Sequence, residues 1–166
     1  MFLRVLTFVV YLSFAASVAL AQAAHAEQTP PDEQNETMRD TLKRMQIKRE
    51  EDEHKKLIGK GSQIKEDTDA LAKEAVEGRL PRTAEKKLKE IEKSAKQIRS
   101  ESGGAEDAPL DSPPGNLADA LKRLAEVSGR LNERLEKTSR RVISVAVVED
   151  ATEVIQLVKI LRGYLN

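Results

Sequence analysis

The C-terminal stretch 147–165 constrains the fold of this chain more than any other part of its sequence. Apolar residues recur in it at alternating steps of four and three, which places them on one face of a helix: Val147, Ala151, Val154, Val158, Leu161 and Leu165. Ile155, Leu157, Ile160 and Tyr164 flank this row, so the apolar arc covers more than half of the helix circumference. A helix of this kind needs neighbours on more than one side.

The segments before it carry narrower apolar rows at the same helical spacing. The rows are Met38, Leu42 and Met45, then Ile64, Thr68, Leu71 and Ala75, then Ala84, Leu88, Ile91, Ala95 and Ile98, and finally Leu117, Leu121, Leu124, Ser128, Leu131 and Leu135. Gly59 and Gly61 each weaken a helix interior, so we predict a weak point or break there, with Ser62 capping a new start. We also predict helix caps at Asn116 and Ser144.

Turn and linker signals divide these helices into two pairs. Gly78 to Pro81 is a strong stop and turn, which predicts an antiparallel helical hairpin over residues 36–100. Residues 101–115, rich in Gly, Pro, Ser and acid, predict a flexible linker, and residues 116–166 a second hairpin. Residues 142–148 favour a strand by propensity, but no second strand candidate exists to pair with them. The predicted fold is all-α, with two hairpins that either close into a four-helix bundle or self-associate like a coiled coil.

The N-terminal residues have the pattern of a secretory signal. A short positive start precedes the apolar run 5–20, and two A-x-A triplets follow, which predicts a cleaved signal peptide over residues 1–26. Gln22 or Glu27 would then begin the mature chain, and residues 27–35 would form a flexible lead. The alternative is an uncleaved membrane anchor, because residues 5–24 are just long enough to span a bilayer. Either way we expect export, to the periplasm or outside the cell.

Composition excludes several classes of function. The chain has 28 basic and 28 acidic residues, no cysteine, and, after the N-terminal segment, no aromatic residue except Tyr164. Disulfides, thiolate ligands and base-stacking platforms are therefore excluded, and no specific nucleic-acid partner is expected. Glu51 and His54 form a single E-x-x-H pair, which is too few ligands for a helical di-metal site. We therefore predict no catalytic, metal or cofactor site and a non-enzymatic protein.

A row of basic residues is the most specific polar feature of the sequence. It lies on the helical face opposite the apolar row of residues 84–98 and consists of Arg82, Lys86, Lys89, Lys93 and Lys96. We call it the basic stripe; such a row could bind lipid headgroups or anionic polysaccharide. The competing interpretation is helix support, because Glu85–Lys89 and Glu92–Lys96 are favourable i,i+4 pairs.

These patterns favour an exported structural or protein-interaction module, with a protein partner or a second copy. Its association face would lie on the broad apolar arc of the C-terminal helix: Val154, Ile155, Leu157, Val158, Ile160, Leu161 and Tyr164. One alternative is an envelope chaperone or anionic-surface-binding protein that uses the basic stripe. A second, weaker alternative is a metal-dependent enzyme.

Overall fold

The computed structural model describes residues 31–75, 79–104, 108–139 and 144–165, with side chains from residue 35 onwards. These residues form four α-helices and no β-strand: α1 Pro31–Glu74, α2 Ala84–Glu101, α3 Leu117–Lys137 and α4 Val145–Gly163. The all-α prediction is therefore confirmed. The predicted signal peptide, residues 1–26, lies outside the described residues. None of the described helices is long and apolar enough to cross a lipid bilayer.

The chain divides into two units, Met1–Gln46 and Ile47–Asn166. In the first unit the described residues are helical, and every side chain from residue 35 to residue 46 is exposed to solvent. Met38, Leu42 and Met45 are 64%, 60% and 64% exposed. The apolar row that the sequence shows here is thus uncovered.

In the second unit all four helices contribute to one apolar core. Its fully buried large side chains are Ile64, Leu71, Leu88, Ile91, Ile98, Leu124, Leu131, Ile155, Leu157 and Leu161, with Val127 and Val147. Helix α4 packs against both α2 and α3, as the width of its apolar arc predicts. The helices form a bundle, in which the α4 face is covered by the chain itself.

Contacts between side chains fix the direction of each helix in the bundle. Ser62 and Thr68 of α1 meet Asn132 and Ser128 of α3, so α1 and α3 are antiparallel. Helix α2 is antiparallel to α1, since Lys87 near its start binds Glu74 at the end of α1, at 2.5 Å between Nζ and Oε1, and Gln97 near its end lines the same groove as His54. It follows that α2 and α3 point the same way. The chain must therefore return along the length of the bundle between them.

The return segment, residues 102–116, contacts the bundle at several of its described residues, although most of them are exposed. Gly104 approaches Val148 of α4 so closely that a Cβ on this glycine would overlap the valine side chain. Leu110 is partly buried against the core, and Arg123 of α3 donates a hydrogen bond to the carbonyl oxygen of Ser112. The composition that predicts a flexible linker therefore occurs in a segment that contacts two helices.

Helix α1 continues through Gly59 and Gly61, so the predicted break is wrong. Gly61 is buried against α3, where an added Cβ would lie 2.7 Å from Leu135 Cδ1 and 3.2 Å from Asn132 Oδ1. The Ser62 hydroxyl does not cap a new helix; it lies 3.2 Å from the carbonyl oxygen of Ile58 and 3.0 Å from Asn132 Oδ1. This glycine allows two helices to approach closely, and the packing offsets its low helix propensity.

The other predicted helix caps are borne out to different degrees. Asn116 caps α3, because its side-chain oxygen accepts a hydrogen bond from the backbone N–H of Asp119 at 2.8 Å. Ser144 occupies the N-cap position of α4 but makes no side-chain cap hydrogen bond. The position of the α4 start was thus predicted correctly, and the capping interaction was not.

A pair of buried hydroxyls sets the register of α1 against α3. Thr68 Oγ1 and Ser128 Oγ lie 3.2 Å apart, and both residues are fully buried. A buried hydroxyl without its partner costs more than an apolar pair of the same shape. We therefore expect Ser128→Ala to lower the free energy of unfolding by about 1–2 kcal/mol, and Thr68→Val combined with Ser128→Ala to cost less than the single change. Urea unfolding of the single and double variants checks this; equal or additive losses would contradict it.

Candidate functional site

The basic stripe lies on the solvent-facing side of α2 and the turn that precedes it. Its five residues, Arg82, Lys86, Lys89, Lys93 and Lys96, are all exposed, as their spacing predicts. The opposite face of the same helix carries Leu88, Ile91 and Ile98, which are fully buried in the core. Burial of that face therefore fixes the direction in which the stripe points.

One of the two predicted i,i+4 pairs forms along the stripe. Lys96 Nζ lies 2.6 Å from Glu92 Oε1. Within the described part of the chain, Lys89 makes no ion pair with Glu85, and Arg82, Lys86 and Lys93 have no acidic partner either. Helix support therefore accounts for Lys96, whereas the other four cations remain available to a ligand.

The surroundings of Glu92 explain why the Glu92–Lys96 pair forms and the Glu85–Lys89 pair does not. It lies on the side of α2 that faces α4, where its side chain is only 11% exposed and Arg162 NH1 is 2.5 Å from its Oε2. Burial alone would raise the pKa of Glu92, but the hydrogen bond from Lys96 and the charge of Arg162 outweigh burial and hold this pKa below its ordinary value of 4.5. Glu92 thus connects α2 to α4 through Arg162 and also pairs with Lys96 within α2.

This lowered pKa makes stability depend on pH in a defined direction. A carboxyl whose folded pKa lies below its unfolded pKa contributes stability above the unfolded value, and that contribution is lost as pH falls through the folded value. We expect Glu92→Gln to be less stable than the natural chain at pH 7, and the difference to shrink below about pH 4. Urea unfolding at pH 7 and pH 3 measures it. A difference that stays constant with pH would show that the Glu92 charge contributes nothing.

A second group of charges joins α3 to α4. Arg130 and Arg134 donate to the two oxygens of Asp150, at 2.8 and 2.7 Å, and Glu153 binds Arg123 and Arg130. Asp150 is 2% exposed, and its burial raises its pKa even though two guanidinium groups oppose that effect. Both carboxylates are occupied by arginines, so this network holds two helices together and leaves no free group for chemistry.

The predicted association face is largely used inside the bundle. Val154, Ile155, Leu157, Val158 and Leu161 are fully buried, Ile160 is partly buried, and Tyr164 is 42% exposed. A partner could reach the first five only if the bundle opened. The structure therefore places this face in the chain's own core.

The E-x-x-H pair is not brought together with further ligands. His54 lines a groove of about 490 Å³ between α1 and α2, together with Glu50, Glu53, Gln97 and Glu101, while Glu51 is not among the lining residues. Among the described residues, no group of three His, Cys, Asp or Glu side chains could hold a metal ion.

No protein-family model, curated protein or solved structure matches this chain. Function therefore has to be inferred from the surface of the molecule. Two exposed features stand out on the described residues: the basic stripe and the uncovered row Met38, Leu42 and Met45, which the sequence shows as one of its narrower apolar rows. The sequence already indicates that the row Met38, Leu42 and Met45 is short. Its next positions, by steps of four and three, are the charged residues Arg49 and Asp52. These two charges, at positions where the row would continue, predict that the row ends after two helical turns.

Proposed function

We propose that this protein is an exported, non-enzymatic helical binding module that holds an anionic partner on the basic stripe. The observation that carries the proposal is that five cations share one exposed helix face and that, in the described part of the chain, four of them bind no acid. Cations without an internal partner are free to replace the counterions of a phosphate- or sulfate-bearing ligand.

The geometry of the stripe favours an extended ligand. From Lys86 to Lys96 the stripe follows α2, so at 1.5 Å per residue this part is about 15 Å long and nearly straight. This matches a linear polyanion or a surface of headgroups better than a small molecule, which needs a concave site. The buried opposite face makes the stripe one side of a packed bundle, so binding does not have to order a flexible segment.

Neutralising the stripe tests the proposal. The triple variant Lys86→Gln, Lys89→Gln, Lys93→Gln should bind dextran sulfate and phosphatidylglycerol vesicles at least about tenfold more weakly at low ionic strength. The salt dependence of binding should also become shallower, because fewer counterions are released. Titration by calorimetry or light scattering provides both measurements.

A control variant with the same loss of charge distinguishes an effect of the stripe from an effect of net charge. Lys55, Lys73 and Lys122 are exposed lysines on α1 and α3, and their triple replacement by Gln removes the same three charges. This control should retain most of the natural affinity. Equal weakening in both triples, or no binding by the natural chain at low salt, would overturn the proposal.

Self-association through the α4 face makes a different prediction. Its large apolar side chains are covered within the chain, so this association would require the bundle to open. Melting that shifts upwards with protein concentration would support an obligate dimer, whereas a constant melting temperature fits a closed monomer. The burial of Val154, Ile155 and Leu157 favours the constant melting temperature.

A further inference from the structure

We infer that the α1 segment 38–45 docks on the surface of an anionic lipid bilayer, with Met38, Leu42 and Met45 inserted among the lipids. This goes beyond the proposed function, which uses α2 alone. The three side chains step by four and three along one helix and are 64%, 60% and 64% exposed, the largest exposures of big apolar residues in the described chain apart from Val145. An uncovered apolar row at helical spacing marks an interaction surface.

The charges around this row are complementary to anionic headgroups. Arg39, Lys43 and Arg44 are exposed, and Asp40 is the one acidic residue between Met38 and Gln46. At 100° per residue, Arg39 lies at the border of the row, whereas Lys43 and Asp40 lie farther round the helix, with Lys43 Nζ 4.0 Å from Asp40 Oδ1. Long basic side chains at such borders place their stems along apolar surface and their charged ends at the level of lipid phosphates.

A second copy of the chain fits this surface poorly. In an antiparallel pair the Arg39 border of one helix would face the same border of the other, which carries Arg39 and Gln46 and no acid. In a parallel pair the Arg39 border of one helix would face the opposite border of the other helix, which carries Thr41 and Lys48 and no acid. Both orientations therefore lack the opposite charges that support pairing of helices.

A protein groove is also a weaker match than a bilayer. Stable protein interfaces bury about 800 Å² per partner and depend on aromatic or arginine anchors in pockets. This row has three side chains, none of them aromatic, on two helical turns. A bilayer accepts a short apolar face with basic borders, because insertion is shallow and lipids adapt to the shape of the helix.

Tryptophan placed on or off the row reports directly on insertion. The chain has no Trp, so Leu42→Trp and Ile47→Trp each give a single reporter. Ile47 is 37% exposed and lies about 140° around the helix from Leu42. With the processed chain from exporting cells and phosphatidylglycerol vesicles, Trp at 42 should shift to shorter wavelength and be quenched by lipid-borne quenchers. Trp at 47 should remain accessible to aqueous iodide.

A second variant separates this inference from the proposed function. Met38→Ala, Leu42→Ala, Met45→Ala keeps helix propensity and charge while removing the apolar row. It should bind the vesicles about tenfold more weakly and bind dextran sulfate as the natural chain does. Unchanged vesicle binding, a water-exposed Trp at 42 on bound protein, or lipid-free self-association lost in this variant would each overturn the inference. Undiminished binding of dextran sulfate by the stripe variant would instead overturn the proposed function.

Discussion

Replacing Leu157 by Ala is expected to lower the free energy of unfolding by about 2–5 kcal/mol. Leu157 is fully buried in the middle of α4, the helix that packs against both α2 and α3. Removing its branched end withdraws apolar surface from the core and leaves a cavity that helices held on two sides cannot readily close. Urea unfolding followed by circular dichroism measures the change, with the slope of the transition as a check that the unfolded state is unaltered.

The same substitution at Leu42 is the matched control. Leu42 is also a helical leucine, but it is 60% exposed, so its loss should change the free energy of unfolding by less than about 0.5 kcal/mol. A small effect at Leu157, or a comparable effect at Leu42, would mean that the α4 face is not the centre of the fold. Since both variants remove the same atoms, the contrast depends on burial alone.

The core of the bundle was predictable because helix periodicity is a local property. The alternating steps that place Leu88, Ile91 and Ile98 on one face also place them in the observed core. Periodicity further predicts that α4 has neighbours on two sides, since no narrower contact could cover Ile155 and Leu157 together. Which helices supply that cover depends on contacts between distant residues, and the sequence analysis left the closed and self-associated forms open.

The details that escaped sequence analysis all depend on contacts across the bundle. Composition marks residues 101–115 as a linker, but Leu110 packs against the core and the carbonyl oxygen of Ser112 accepts a hydrogen bond from Arg123 of α3. Propensity marks Gly61 as a helix breaker, but propensity takes no account of α3 beside it. Local rules describe what a segment prefers in isolation, and these segments are not isolated.

The basic stripe also combines a feature that the sequence predicts with one that it does not. The exposure of the basic stripe follows from the buried face of α2 and was predicted correctly. Which lysine is paired was not predictable from i,i+4 spacing, because Glu92 is held in place by Arg162 of α4 while Glu85 has no such contact in the described residues. The pairing pattern that leaves Lys86, Lys89 and Lys93 without acidic partners among the described residues is therefore a property of the folded chain.

Gly61→Leu is expected to lower the free energy of unfolding by about 2–3 kcal/mol. A Cβ at this position would already lie 2.7 Å from Leu135 Cδ1, and the backbone Cα of Asn132 is 3.4 Å away, so a larger side chain has no room unless α1 and α3 separate. Separation would also stretch the contacts of Ser62 with Asn132 and of Thr68 with Ser128. The loss in free energy of unfolding should therefore include part of the contribution of these two polar contacts as well as the cost of overpacking.

Gly59→Leu provides the opposite expectation two residues away in the same helix. Nothing lies within 4 Å of a Cβ at Gly59, and the residue is exposed, so leucine should stabilise the helix by about 0.5–1 kcal/mol through its higher propensity. Thermal and urea unfolding of the two variants should shift in opposite directions. If both were stabilised, α1 would not lie against α3 at Gly61; if both were destabilised, the helix would not continue through residue 59. A shift of opposite sign at the two glycines requires one continuous helix with one of its faces in close contact, because a break between residues 59 and 61 would make both changes nearly neutral.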